Sequence, residues 1–143
     1  ARGQLQEDEA FYSGRSQGKL VADVPVEITR ELLLRGQDRF NIFCSPCHAR
    51  TGMGNGMIVQ RGFRKPPSYH SERLRSAPAG HFFDVMTHGF GAMPSYARIE
   101  PQDRWAIVAY IRVLQLSQNA TIDDVPESER SKLDVQAAEG TQP

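Results

Sequence analysis

This 143-residue chain has few cysteines, no net charge and no long apolar run, and each scarcity narrows what it can be. Its two cysteines cannot supply the four thiolates of a Cys-only zinc site. Its 17 basic and 17 acidic residues cancel, whereas a nucleic-acid binder shows a strong basic excess, so no nucleic-acid partner is expected. The longest apolar run, Trp105 to Ile111, is seven residues and far too short to span a bilayer. No internal repeat, no low-complexity tract and no strand-like alternation appears. No signal peptide is visible, and the chain does not begin with methionine. The length falls in the range of one domain.

Against these absences stands one dense motif, Cys44-Ser45-Pro46-Cys47-His48. The C-x-x-C-H spacing is that of covalent haem attachment. Two thiols add across two haem vinyl groups, and the following histidine is placed under the iron. All three must reach neighbouring points of one porphyrin from a single helical turn. A Cys2His2 zinc site drawing on His48, His70, His81 or His88 leaves the adjacent Cys47-His48 pair unexplained. A thioredoxin-like dithiol needs a βαβ context that is missing. The cofactor expected is therefore one covalent haem c, with His48 as a metal ligand.

The opposite ligand is expected from Met93, in Gly89-Phe90-Gly91-Ala92-Met93-Pro94-Ser95-Tyr96. Glycines let backbone approach a haem edge, and Pro94 stiffens the chain just after the thioether. A thioether opposite histidine gives a site of raised reduction potential. Met53, Met57 and Met86 read as gap fillers or pocket lining. His70, His81 and His88 are the competing ligands.

The pattern Gly36-x-x-x-Phe40-x-x-x-Cys44-x-x-Cys47-His48, Gly52-x-Gly54-x-Gly56, Pro66-Pro67, Met93-Pro94 and Trp105-x-x-Val108-x-Tyr110-Ile111-Arg112 resembles a class I c-type cytochrome domain over residues 29 to 118. Within that family, the segments 54–64, 89–96 and 103–112 are similar to the mono-haem cytochrome c subunit of bacterial alternative complex III, a membrane quinol-oxidising assembly. The resemblance implies an all-α protein with the class I cytochrome c fold: three to five helices around one covalent haem, with irregular N- and C-terminal extensions. It implies a carrier of single electrons and no enzyme. The expected partners are other redox and membrane subunits of a respiratory complex, with a soluble cytochrome or a terminal oxidase as acceptor. It also implies export to the periplasmic side of the bacterial inner membrane, with peripheral attachment or a lipid anchor through an unseen N-terminus. A free-standing periplasmic carrier, or a haem sensor or enzyme with a labile sixth ligand, are the alternatives.

Three regions follow. Residues 1–28 are polar and read as an extended arm. Residues 29–118 form the haem domain. Residues 119–143, with six acidic and two basic residues, read as a tail. In the domain, Thr29 is a good N-cap, with Ile28 and Leu33 spaced as a hydrophobic staple and a stripe through Leu33, Gly36, Phe40 and Phe43. A last helix opens at Pro101. In the family these two helices cross at a glycine, so Gly36 and Phe40 are expected against Tyr110 and Ile107. Shorter helices are expected at Ser71–Arg75 and from Pro78 to Gly89. The long 49–70 loop would wrap one side of the haem, with Pro66 and Pro67 placing a carbonyl at Nδ1 of His48. Arg64 and Tyr69 are candidates for the haem propionates. Tyr96, beside Met93 in its motif, completes the expected cofactor-binding residues. Arg50, Arg61, Arg64, Lys65, Arg73 and Arg75 face only Glu72 in charge, which predicts a basic surface at the haem edge.

Overall fold

The computed structural model describes residues 2–119, 123 and 125–132. The elements are α1 (Arg2–Ser13), β1 (Arg15–Ser16), β2 (Lys19–Leu20), α2 (Arg30–Phe43), α3 (Ser45–His48), α4 (Met57–Gln60), α5 (Glu72–Arg75), α6 (Ala79–His88) and α7 (Pro101–Asn119). Among the described residues the protein is all-α apart from a hairpin of two short strands that pairs Arg15 with Leu20 and Ser16 with Lys19.

Helix α2 starts where its sequence says. The Thr29 hydroxyl accepts a hydrogen bond from the Leu32 amide at 3.1 Å. The buried face runs Leu32, Gly36, Phe40, at a spacing of four. The expected stripe is thus shifted by one residue at its start, because Leu32 shares the Gly36–Phe40 face and Leu33 lies beside it. Ile28 is exposed, so no staple to Leu33 forms.

That face crosses α7. A Cβ on Gly36 would stand 2.0 Å from the Ala106 carbonyl oxygen and 3.1 Å from Cβ of Tyr110. Only glycine permits two backbones to come this close. Phe40 and Tyr110 then meet edge to face, their rings 5.4 Å apart. Trp105, Ala106, Ile107 and Val108 are fully buried in succession, so α7 is covered on nearly all sides. The shorter helices match expectation. Ser71 caps α5 through its hydroxyl, which accepts from the Leu74 amide. Helix α6 runs from Pro78 as N-cap to Gly89 as C-cap, with φ of 76°.

The N-terminal region departs from the extended arm expected. Residues Arg2–Ser13 are helical. Gln17 and Gly18, both at positive φ, turn the hairpin. The segment is built into the domain. Trp105 Nε1 donates to the Phe11 carbonyl at 2.7 Å. The Ala79 and Gly80 amides donate to the Ala22 and Val21 carbonyls at 3.0 and 2.9 Å. Gly80 lies so close to Gly14 that a Cβ would sit 2.3 Å from its carbonyl oxygen. Ala10, Phe11, Val21, Val24 and Val26 supply apolar contacts. They follow no single period, so composition gives no sign of them. Of the C-terminal tail, residues 127–132 are helical; residues 133–143 lie outside the described residues.

Candidate haem-attachment site

The attachment turn continues α2 with a change of helix. Cys44 is the C-cap of α2, its amide donating to Phe40 O at 2.8 Å. Pro46 then falls in the first turn of α3, where its missing N–H costs nothing. The His48 amide donates to Cys44 O at 2.9 Å, and the Ser45 hydroxyl to Asn41 O at 2.6 Å. Cys44, Cys47 and His48 therefore share one helical turn. Ala49, at φ of 62°, ends it abruptly. Both thiols are free, Cys44 buried and Cys47 half-buried.

The glycine-rich segment folds directly back on this turn. Gly54 N donates to His48 O at 2.9 Å, and Gly56 N to Cys47 O at 3.0 Å. A Cβ on Gly56 would lie 2.2 Å from Pro46 O, and one on Gly54 2.5 Å from Pro66 O. These glycines are spacers that let the loop lie on the turn.

His48 is buried, and burial pulls its pKa down to about 4, so the imidazole is neutral. Burial, and then the neighbouring Cys47, pushes the Cys44 thiol up to about 12. Tyr69 stacks on the His48 ring, centroids 4.6 Å apart at 19°. It is fixed there because its amide donates to Gly52 O at 2.9 Å and its carbonyl accepts from Gln115 Nε2 at 2.9 Å. Tyr69 is thus packed against the histidine and the cysteines rather than held at the surface. Its hydroxyl pKa is raised by burial and then by Cys44. The carbonyl contact expected from the proline pair is not made. Nδ1 of His48 is buried with no hydrogen-bond partner; the Pro66 carbonyl points at Gly54, and Pro67 is exposed. Arg64 is also exposed, with no hydrogen bond or ion pair among the described residues.

Met93 is half-buried and packs on the apolar cluster that contains Cys44, Tyr69 and Met86. Its segment is pinned by reciprocal bonds, Phe90 N to Met93 O at 3.1 Å and Met93 N to Phe90 O at 2.9 Å. Tyr96 joins this segment to the attachment turn. Its hydroxyl donates to Phe43 O at 3.4 Å and its ring meets Phe43 edge to face. Its pKa is raised by burial and then by Cys44 and Cys47. Of the competing histidines, His70 has both ring nitrogens bonded. His70 Nε2 donates to Thr51 O at 2.6 Å, and its Nδ1 accepts from Asn119 at 3.0 Å. His88 is exposed beside Asp84. His81 is half-buried near Arg73, its pKa lowered mainly by burial.

The residues present fit a covalently held haem. Two unpaired thiols and a neutral imidazole free of side-chain hydrogen bonds share one turn. Large apolar side chains stand in the open nearby: Met53, Met57, Ile58 and Phe63 on the loop, and Phe90 beside Met93. Exposed apolar side chains of this kind suit a surface that packs on an apolar group. Arg50, Arg61, Arg64, Lys65, Arg73 and Arg75 are all exposed. Gln115 and Arg112 had no site role on sequence grounds, yet Gln115 ties α7 to Tyr69 and Arg112 Nη1 donates to Gln115 Oε1 at 3.0 Å. Their signal was two polar residues interrupting an apolar helix.

Comparison with curated proteins finds no match. Among solved structures, a chain of the reducing HAO-like protein complex of Kuenenia stuttgartiensis superposes with a TM-score of 0.54 at 22% identity, covering 74% of this chain. The chain spans 54% of that protein, and the likeness speaks for the fold alone. The family described as cytochrome c oxidase, cbb3-type, subunit III matches residues 31–111, from the start of α2 through most of α7. With the attachment turn inside that match, the chain belongs to this family of c-type cytochrome domains.

Proposed function

We propose that the chain carries single electrons through one haem c held by Cys44 and Cys47, with His48 and Met93 as axial ligands. The observation that carries this reading is the attachment turn itself: two free thiols and a buried, neutral imidazole within one helical turn. When bound, the haem supplies a one-electron couple at its iron. The protein's part is to tether and to enclose. The thiols fix the group in place, His48 and Met93 offer a nitrogen and a thioether, and Tyr69, Phe40 and Phe82 keep water away. The engagement of both His70 ring nitrogens favours Met93 as the second ligand. Were His48 and Met93 both to hold the haem iron, the protein would leave no open place for dioxygen or peroxide.

The wider setting belongs to the same proposal. The similarity of segments 54–64, 89–96 and 103–112 to the mono-haem subunit of alternative complex III supports a place in a membrane quinol-oxidising respiratory complex. That place is on the periplasmic side of the inner membrane, beside other redox subunits. The exposed basic run supports an acidic electron acceptor, a soluble cytochrome or a terminal oxidase.

Redox titration of the loaded protein should follow a one-electron curve, and carbon monoxide should leave the reduced spectrum unchanged. Met93→Ala should abolish the weak near-infrared sulfur-to-iron band, lower the potential and admit carbon monoxide. Carbon monoxide binding to the unmutated protein would place it among sensors or enzymes instead. Purified from its native membrane, the protein should bring with it subunits that reduce it when quinol is added. Recovery alone, with no quinol-dependent reduction, would sink the complex-level reading.

A further inference from the structure

Arg104 is 5% exposed, yet no carboxylate bonds to it among the described residues. Burial drives its pKa down, and only the nearby charge of Glu100, which makes no direct bond to it, pulls the other way. The guanidinium is instead spread over other contacts. It lies 4.4 Å over the Phe83 ring. Its Nε donates to the Ile99 carbonyl at 2.9 Å, and its Nη1 donates to the Thr87 hydroxyl.

Those two acceptors are the two roots of the segment 88–98 that carries Met93. Thr87 lies in the last turn of α6, where its hydroxyl donates to Phe83 O at 2.8 Å. Its carbonyl accepts from the Ser95 hydroxyl at 2.7 Å. Tyr96 N donates to Met86 O at 2.7 Å, and Ile99 N to Tyr96 O at 2.9 Å. Between the roots the segment is held by short local bonds and by Tyr96, whose hydroxyl reaches the Phe43 carbonyl. Gly89 and Gly91 sit at positive φ, and the Phe90–Met93 pair is its one two-way backbone link among the described residues. A loop held mainly at its two roots is the kind of element that opens locally at less cost than global unfolding.

We propose that Arg104 is the positioning residue of the Met93 segment, tying Thr87 to Ile99 and so setting how readily residues 88–98 open. The choice of arginine follows. A planar guanidinium presents donors in a fixed fork and can hold two acceptors at once, whereas an ammonium is a single point donor. Among the described residues Arg104 makes no hydrogen bond to Met93 or to the attachment turn. It acts through the two roots. The consequence for a haem protein rests on the reading of Met93 as a ligand: opening would carry the Met93 thioether away from the haem it would otherwise hold.

The test compares the haem-loaded protein with Arg104→Lys, Arg104→Met, Thr87→Val and Thr87→Ser. Amide hydrogen exchange at Met93, Tyr96 and Ile99 is measured against Ile107 and Val108 in the middle of α7. The first three variants should speed exchange in the segment about ten- to hundred-fold, the loss expected for a hydrogen bond from a charged donor. Exchange at Ile107 and Val108 should change little. Thr87→Ser, which keeps the hydroxyl, should behave like the parent. Binding of added imidazole to the ferric protein should quicken by a similar factor in the same three variants. Equal acceleration throughout α7 and the segment, or none in the segment, would overturn the proposal and leave Arg104 as packing. The exchange readout does not need Met93 to bind iron. If the parent lacks the sulfur-to-iron band, the ligand assignment fails while exchange still decides the clamp.

Discussion

Gly36→Ala puts the helix crossing to the most quantitative test. On helix propensity alone the change should stabilise α2 by about 1 kcal/mol. The crossing reverses the sign. The added Cβ would lie 2.0 Å from the Ala106 carbonyl oxygen and 2.6 Å from its carbon, where real Cβ contacts do not fall below 3.0 Å. The helices must therefore separate by roughly 1 Å, and a gap of that size forfeits a quarter to a half of each dispersion contact. Leu32, Phe40, Ala109 and Tyr110 all pack across this junction. Overpacking of this kind costs about 1–3 kcal/mol, and a backbone neighbour places it near the upper end because no rotamer can yield. The net expectation is a loss of about 2 kcal/mol, or roughly 4–12 °C in melting temperature, by circular dichroism of the haem-loaded protein. Gln37→Ala, one residue on and exposed, should stay within about 0.5 kcal/mol of the parent. Trimming Tyr110 to alanine should not rescue Gly36→Ala, since the obstruction is a main-chain carbonyl. A Gly36→Ala protein that melts at or above the parent would refute the close crossing.

The remaining expectations concern the arm, the unloaded site and the charged surface. Removing residues 1–24 should lower the stability of the domain by roughly 3 kcal/mol or more, because Trp105 loses its acceptor and Phe11 and Val21 their burial; an unchanged denaturant midpoint would mean the arm only rests on the surface. The chain without haem should lose stability on acidification: unfolded histidine titrates near 6.5 and buried His48 near 4, so the unfolded state takes up its proton first. That loss should grow from about pH 6.5 down to about pH 4 and reach about 3 kcal/mol, while His48→Gln should flatten the profile. Electron exchange with an acidic soluble partner should slow as added salt shortens the Debye length from roughly 30 to 8 Å. Reversing the charge at exposed Arg61 or Lys65 should flatten that dependence, and a rate indifferent to salt would assign the run no steering role.

What could be read in advance divides along physical lines. Thr29, Ser71, Pro78 and Gly89 mark helix ends through their own backbone and side-chain chemistry, and they stand where expected. Gly36 was legible because a glycine inside a helix needs a reason. The attachment turn was legible because its spacing is set by the covalent chemistry. The arm was not, since its main anchors are backbone groups, the Phe11, Val21 and Ala22 carbonyls, which leave no trace in side-chain pattern. Tyr69 was a candidate for the haem propionates, and its place against the His48 ring could not be read from the sequence. Its stacking on His48 depends on Gln115, 46 positions away in sequence. Arg104 reads as an ordinary helix charge until Thr87 and Ile99 are seen on either side of it.

The central claim is that Cys44 and Cys47 together hold one haem. Its most direct measurement is the mass of the intact chain after maturation in a host that attaches c-type haem, with thiol alkylation under denaturing conditions. A single mass equal to the polypeptide plus one haem, no alkylatable thiol, and loss of the added mass when both cysteines are changed to serine are expected. A chain at bare polypeptide mass with both thiols open to alkylation would contradict it.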